Sequence, residues 1–177
     1  MMNPRNLVLF IATSLDGYIA TEDHNLDWLF AVEGEGDNGY SKFYDSIDTI
    51  LLGRITYDWI MKNEKSGWPY KDKECYVFSR TKKDDHNDVT FIHEDAVQFT
   101  KNLKTQSGKD IWIVGGGELL SAFMKESLVD ELIISVTPVL LGKGIPLFKD
   151  NDFQTPLTLI SVDRFNQFVE LHYRLRR

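Results

Sequence analysis

The sequence has a single cysteine, Cys75, in 177 residues. A disulfide bond within the chain is therefore excluded, and the oxidising compartments in which proteins commonly use disulfides are disfavoured. The N-terminal residues also lack the succession of basic stretch, apolar core and cleavage site that marks a secretory leader. We therefore expect a cytoplasmic protein. Cys75 precedes the apolar run 76–78, which favours a packed strand residue over a nucleophile.

Basic residues are fewer than acidic residues in this sequence. Twenty Lys and Arg residues stand against 27 Asp and Glu residues, which gives a formal net charge of -7 at pH 7. An acidic surface repels phosphate backbones, and no polybasic stretch is present to bind anionic lipid. We expect neither nucleic acid nor a membrane as a partner. Any anionic ligand has to be held locally, by a helix N-terminus or by a few placed basic side chains.

Several motifs with known chemistry are missing. The four histidines, His24, His86, His93 and His172, are scattered without the spacing of metal ligands, so we expect no metal site. The sequence contains neither a GxSxG nor a Walker pattern, which leaves a hydrolase or a nucleoside triphosphatase without support. The GxGxxG spacing is also missing, which disfavours a Rossmann domain.

What the chain does contain is a regular alternation of short apolar runs and helical segments. Its length suits one domain spanning residues 1–177. The apolar runs predict strands at 6–13, 49–53, 74–79, 89–92 and 111–114. The intervening segments predict helices at 40–46, 54–61, 95–105 and 118–125. This alternation favours a largely parallel sheet with helices on both faces.

The last third of the chain has a different pattern. Residues 130–139 predict one strand, and 157–165 and 168–175 predict a hairpin around the turn at 166–167. The predicted fold is therefore a three-layer α/β fold, with a mixed, mostly parallel central sheet and an antiparallel C-terminal edge.

The strongest functional pattern is a triple glycine, Gly115, Gly116 and Gly117, where the strand at 111–114 turns into a helix. Glycine lets the backbone approach a ligand closely. The N–H groups at the bend and the positive end of the helix dipole together form a site for a pyrophosphate without basic side chains. A tight turn that binds no ligand remains the alternative interpretation.

Two neighbouring bends carry further candidates. Gly53 and Arg54 join a strand directly to a helix, where Arg54 either holds a phosphate or pairs with a carboxylate. Ser79 ends the predicted strand at 74–79 and Arg80 follows it, at the carboxyl edge where open α/β sheets bind ligands.

The exit from the first strand holds a carboxylate beside a glycine, at Asp16 and Gly17. Asp16 either orients a substrate and assists proton movement, or only stabilises a turn. The apolar segment 140–148, with two glycines, either closes over a ligand or simply connects two edge strands.

Taken in this order, the segments at 14–20, 51–59, 76–81, 113–120 and 137–148 resemble the dihydrofolate-reductase superfamily. The closer resemblance is to the C-terminal reductase domain of the bifunctional riboflavin-biosynthesis deaminase/reductase, and it covers nearly the whole chain. The resemblance implies NADPH bound along the carboxyl edge of the sheet.

The same resemblance implies particular roles for the residues at these bends. The cofactor-binding residues that it implies are Gly53, Arg54, Thr56, Ser79, Arg80, Gly115, Gly116, Gly117 and Glu118. The residues that it implies beside the nicotinamide and the substrate are Ser14, Asp16 and Gly17. Dihydrofolate reductases also place an acid on the helix before the strand that ends in Gly-Arg, and the nearest candidate here is Asp37. Asp16 is thus the first candidate for the catalytic acid and Asp37 the second.

These implications predict hydride transfer from NADPH to a small heterocyclic or ribosylamino-pyrimidine substrate, resembling 5-amino-6-(5-phosphoribosylamino)uracil reductase. Reduction of a dihydrofolate or pterin is one alternative. A nucleotide-binding or dimerisation module without turnover is another. We also expect a homodimer formed through the apolar C-terminal strands.

Overall fold

The computed structural model describes residues 4–81, 86–150 and 154–176. Its strands are β1 (Leu7–Thr13), β2 (Tyr18–Ala20), β3 (Ile47–Gly53), β4 (Glu74–Phe78), β5 (Thr90–Ile92), β6 (Asp110–Gly115), β7 (Glu131–Val136), β8 (Ile145–Pro146), β9 (Leu157–Phe165) and β10 (Phe168–Leu175). Its helices are α1 (Asp27–Phe30), α2 (Tyr40–Ser46), α3 (Arg54–Asn63), α4 (Ala96–Lys104) and α5 (Gly117–Lys125).

Eight of these strands form one sheet in the order β5-β4-β3-β6-β1-β7-β10-β9. The six strands from β5 to β7 pair in parallel. Strand β10 is antiparallel to both β7 and β9. The structure therefore confirms the predicted mixed sheet with an antiparallel C-terminal edge. Because the parallel strands share one direction, their carboxyl ends meet along a single edge of the sheet.

Helices cover both faces of this sheet, which confirms the three predicted layers. Helix α5 buries Phe123 in one core, and α2 buries Phe43 in the other. Neighbouring residues of β3 point alternately into the two cores, Leu51 into the first and Leu52 into the second. A strand that is covered on both faces needs apolar residues at every position, which explains the unbroken apolar runs in the sequence.

One element is shorter than the sequence predicts. Residues 130–139 predict a single strand, but β7 ends at Val136. Pro138 follows in an irregular segment, and proline has no N–H to donate to a strand ladder. Beyond it, β8 pairs with β2 in a separate two-stranded ribbon. Strands of two and three residues leave no pattern in a sequence, so this ribbon was not predicted.

At the amino ends of the strands, a buried arginine joins three segments of the chain. Arg5 is 4% exposed, and it forms an ion pair with Asp48. Its Nη2 donates to the Thr49 hydroxyl at 2.6 Å, and its Nε donates to the Lys109 carbonyl, also at 2.6 Å. The Asp48 carboxylate in turn accepts the Lys109 N–H at 2.7 Å. Arg5 therefore fixes the start of β1 against β3 and against the segment that leads into β6.

Candidate functional site

The bends that follow β3 and β6 lie side by side at the carboxyl edge of the sheet. Strands β3 and β6 are neighbours, and Leu52 is paired with Gly115 at their ends. A Cβ atom added to Gly53 would lie 3.3 Å from the Gly116 nitrogen, closer than an ordinary contact. The two bends therefore touch through their backbones, and glycine at position 53 permits the approach.

The backbone at the first residue of the triple glycine has a positive φ, which glycine adopts more readily than other residues. Gly115 has a φ of +154°, and a Cβ atom there would lie 3.1 Å from the Thr56 hydroxyl oxygen of α3. Gly115 itself is buried, whereas Gly116 and Gly117 are partly exposed. The structure thus brings Thr56 and the triple glycine together.

Two helices start at this point without a side-chain cap. Gly116 is the N-cap of α5 and Gly53 is the N-cap of α3, and within the described residues neither N-cap offers a side chain to the first N–H groups of its helix. The first N–H groups of a helix have no partner within the helix, and they carry the positive end of its dipole. Two such ends at one edge have the polarity that suits an anion, in a protein of net negative charge. Glu118, in the first turn of α5, is exposed and lies 3.6 Å from Lys149.

Arg54 lies at the start of α3 and extends towards β5. Its guanidinium carbon is 5.8 Å from the centre of the Tyr57 ring and 5.7 Å from that of Phe91. Its Nε donates to the Asp58 carboxylate at 2.8 Å. The pairing of this arginine with a carboxylate, one of the two interpretations of the sequence, is therefore present. The same contacts hold the guanidinium beside β5, against the Phe91 ring.

Ser79 and Arg80 follow β4, the strand next to β3 in the sheet. Ser79 is buried and its N–H donates to the Ile92 carbonyl at 3.0 Å. The Ser79 hydroxyl lies 3.3 Å from the Thr81 hydroxyl. Arg80 is exposed. Both residues therefore lie at the same edge as Gly53, one strand further from the triple glycine.

Asp16 contacts the loop that follows β7. Its carboxylate accepts the Ser14 hydroxyl at 2.7 Å, the Leu141 N–H at 3.1 Å and the Gly142 N–H at 2.8 Å. The hydrogen bond from Ser14, followed by those from the two backbone amides, lowers the pKa of the Asp16 carboxyl from its usual value. Asp16 is therefore an ionised acceptor at neutral pH. No local pattern in the sequence indicated the two partners in the loop, which are 125 or more residues away.

Asp37 caps the start of α2. Its carboxylate accepts the Ser41 N–H at 2.9 Å and the Gly39 N–H at 3.1 Å. Hydrogen bonding with Ser41 lowers the pKa of this exposed carboxyl as well. The structure thus places Asp37 before the helix that precedes β3, in a capping position. The catalytic roles of Asp16 and Asp37 stay predictions.

Sequence reasoning did not identify Glu170, a carboxyl whose pKa the fold raises rather than lowers. Glu170 of β10 pairs in the sheet with Ser135 of β7, which pairs with Ala12 of β1. This row lies one residue before the carboxyl ends of β1 and β7. The Ser135 hydroxyl donates to the Glu170 carboxylate at 3.4 Å. The strand register alone brings these residues together, so no local signal could have identified Glu170.

Partial burial raises the pKa of Glu170, and nearby Asp163 adds to this effect. Hydrogen bonding from Ser135 and the positive charges of His172 and Lys42 oppose it. A folded pKa above the unfolded value means that the fold disfavours the ionised form. Glu170 therefore reduces stability as the pH rises above the ordinary pKa of glutamate.

Replacing Glu170 by glutamine is expected to raise the melting temperature at pH 7.5. The gain should be roughly 1 to 3 °C, because partial exposure screens the charge, and it should shrink towards pH 4 as wild-type Glu170 becomes protonated. Thermal unfolding of both proteins across this pH range measures the difference. The exposed Glu94, changed to glutamine, is the control and should leave the pH dependence unaltered. A gain that is the same at both pH values would contradict this assignment.

The described part of the chain contains no cluster of three or more His, Cys, Asp or Glu residues that could hold a metal ion. Likewise, none of the helices within the described ranges is both long and apolar enough to cross a membrane. His172 is instead paired with a carboxylate, since its Nε2 lies 2.8 Å from Glu131.

Comparison with known proteins adds a family and close relatives. The family model of the RibD C-terminal domain matches residues 5–170. The uncharacterized protein YwjB of Bacillus subtilis (strain 168) is 52% identical over 172 residues, which cover 96% of this chain and 97% of YwjB. The crystal structure of a putative riboflavin biosynthesis protein from Shewanella sp. PV-4 superposes with a TM-score of 0.88 at 30% identity. That match covers 97% of this chain and 99% of the Shewanella chain.

More distant solved structures share the fold. The diaminohydroxyphosphoribosylaminopyrimidine deaminase/5-amino-6-(5-phosphoribosylamino)uracil reductase of Thermotoga maritima has a TM-score of 0.70 at 15% identity, over 98% of this chain and 57% of that chain. A dihydrofolate reductase from Enterococcus faecalis, complexed with NADP(H), has a TM-score of 0.65 at 16% identity, over 97% of both chains. These matches confirm the predicted dihydrofolate-reductase-like fold.

Proposed function

This chain belongs to the RibD C-terminal domain family, and from that premise we propose that it is an NADPH-dependent reductase. Its substrate is a small heterocyclic or ribosylamino-pyrimidine compound, of the kind that 5-amino-6-(5-phosphoribosylamino)uracil reductase uses. The observation that carries this proposal is the contact between the bends at Gly53 and Gly116, where two helices start without side-chain caps. This arrangement suits a ligand with two linked phosphates.

The residues at the bends fit a dinucleotide. The pyrophosphate would lie against Gly116 and Gly117, with the Thr56 hydroxyl beside it, where the lack of side chains leaves the backbone amides accessible. Arg54 and Arg80 would lie on the adenosine side and balance the charge of the 2′-phosphate. When bound, NADPH supplies the hydride. The protein orients the cofactor and the substrate and limits the access of water.

The substrate would lie beside the exit of β1, next to Ser14 and Gly17. Reduction also requires a proton; the sequence predicts Asp16 or Asp37 as its donor, and the contacts of Asp16 with the Leu141 and Gly142 amides favour a positioning role for Asp16 instead. Hydrogen bonds with the Ser14 and Ser41 side chains, followed by those with backbone amides, lower the pKa of the Asp16 and Asp37 carboxyls. Either carboxyl therefore has to take up a proton from solvent before it can donate one.

Cofactor preference is the first test. NADPH is expected to raise the melting temperature by about 5 to 10 °C at one hundred times its dissociation constant, and NADH by much less. Arg54→Gln should reduce this preference severalfold, because the 2′-phosphate loses one of its two cations. Lys62→Gln, on the exposed far end of the same helix, is the matched control and should keep it. The absence of a shift with either nucleotide would refute the proposal.

Turnover distinguishes the remaining candidates. We expect NADPH oxidation with 5-amino-6-(5-phosphoribosylamino)uracil and none with dihydrofolate. Oxidation with dihydrofolate alone would instead establish the pterin reductase. Binding of NADPH without oxidation by either compound would favour the module without turnover.

The homodimer is a further proposal, supported by the C-terminal hairpin. Strand β9 is an edge strand of nine residues, and a long unpaired edge is a common site of association. Four apolar side chains of the hairpin are 40% to 56% exposed: Leu159, Ile160, Val162 and Val169. A second copy of the chain that covers them would remove apolar surface from water.

A further inference from the structure

We propose that Asp16 is a positioning residue that holds residues 139–149 against the bend at Gly116 and Gly117, here termed the cofactor bend. Residues 139–149, which include β8, are termed the β7–β8 loop. In this role its carboxylate binds backbone amides and does not donate the proton for reduction. The inference rests on the proposed NADPH site. It assigns Asp16 a function that the sequence left open between proton transfer, substrate orientation and turn stabilisation.

Both carboxylate oxygens of Asp16 bind backbone amides of the loop, an arrangement here termed the clamp. One carboxylate oxygen accepts the Gly142 N–H at 2.8 Å, and the other accepts the Leu141 N–H at 3.1 Å. The Ser14 hydroxyl donates to the same carboxylate at 2.7 Å, and its oxygen accepts the Tyr18 N–H at 2.9 Å. All three donors favour the ionised carboxylate, because a proton on either oxygen would occupy an acceptor position.

Further contacts fasten the same two segments together. The Leu15 N–H donates to the Val139 carbonyl at 2.8 Å, and the Leu147 N–H donates to the Gly17 carbonyl at 2.9 Å. Between them, a Cβ atom added to Gly144 would lie 2.3 Å from the Ala20 carbonyl oxygen. The β7–β8 loop therefore lies directly on residues 15–20, and Asp16 binds two successive backbone amides of that loop.

The far end of the loop contacts the cofactor bend. A Cβ atom on Gly117 would lie 3.7 Å from the Pro146 carbonyl oxygen and 3.6 Å from the Lys149 side chain. Lys149 also lies 3.6 Å from Glu118 in the first turn of α5. The β7–β8 loop thus extends from Asp16 to the start of α5. Releasing it at Asp16 would loosen one wall of the site proposed for the pyrophosphate.

Asp16→Asn tests the clamp, because the amide replaces one acceptor by an N–H donor that faces a backbone N–H. We expect the dissociation constant for NADPH to rise at least tenfold, with kcat within threefold of wild type and an unchanged acid limb of the pH–rate profile. Hydrogen exchange at the Leu141 and Gly142 amides should become faster. Ser14→Ala, which removes one donor to the carboxylate, should change binding and exchange in the same direction but less.

Two matched controls lie close to Asp16 in the chain. Asp23 also accepts a hydrogen bond from a hydroxyl two residues earlier, that of Thr21, so Asp23→Asn makes the same chemical change without removing the clamp. Glu22 forms an exposed ion pair with Lys143 of the same loop, at 3.2 Å. Such exposed pairs contribute little, so Glu22→Gln should leave binding and exchange unaltered.

A hundredfold loss of kcat with unchanged NADPH binding would overturn the clamp and assign Asp16 to proton transfer. Unchanged binding and unchanged amide exchange would also overturn it. If wild-type protein does not bind NADPH, the proposed function fails, but amide exchange in Asp16→Asn still decides about the clamp. Faster exchange then supports it, and unchanged exchange refutes it.

Discussion

Replacing Gly116 by alanine is expected to weaken NADPH binding by roughly 100-fold. A Cβ atom at this position would lie 3.5 Å from the Thr56 hydroxyl oxygen, between the two helix starts. The added methyl group would displace the phosphates and lengthen about two charge-assisted hydrogen bonds. That loss corresponds to about 2.7 kcal/mol.

The fold itself should tolerate this change. Gly116 has a φ of -101°, which alanine adopts readily, and the 3.5 Å separation from Thr56 is an ordinary contact. Isothermal titration with NADPH measures binding, and thermal unfolding without ligand measures stability. Ser107→Ala, in the exposed turn after α4, is the control and should change neither. A Gly116→Ala protein that binds NADPH as wild type does would remove the triple glycine from the phosphate site.

Replacing Arg5 by alanine is expected to reduce the free energy of unfolding by about 3 kcal/mol. Removing one partner of a buried ion pair leaves the other groups without compensation. Here Asp48 and the completely buried Thr49 would each lose the hydrogen bond that the Arg5 guanidinium donates. Asp48 is partly exposed, so water restores some of the loss, and the expected effect lies at the lower end of the usual range.

Urea unfolding measures the loss directly, and the melting temperature should fall by roughly 6 to 12 °C. The control is Lys101→Ala, which removes an exposed ion pair with Glu126 at 3.2 Å. That change should cost less than about 0.5 kcal/mol. Equal losses in the two variants would show that Arg5 contributes no more than a surface charge.

The sheet and its bends could be predicted because they leave local patterns. The run at 111–114 is apolar at every position, as a strand covered on both faces requires, and β6 includes it. The glycines at its end predict a sharp turn into a helix, and α5 begins at Gly117. A strand followed directly by a helix also fixes the carboxyl edge as the place where the bends meet.

The partners of the polar side chains could not be predicted in this way. Asp16 has the same neighbours in sequence whether it stabilises a turn or holds a loop, and its contacts with Leu141 and Gly142 exist only in the folded chain. Glu170 meets Ser135 through the register of β10 against β7. A shift of one residue in that register would turn Glu170 to the other face of the sheet.

The sequence by itself determined the class of fold and the positions of the glycine bends, because hydrophobic periodicity and glycine act over a few neighbouring residues. Its negative charge also means that any anionic ligand has to be held locally, against the overall charge. Only the tertiary structure decided that Gly53 touches Gly116, that Asp16 binds the β7–β8 loop and that Arg5 is buried. Those contacts join residues 43 to 126 positions apart, and their geometry depends on strand order and register.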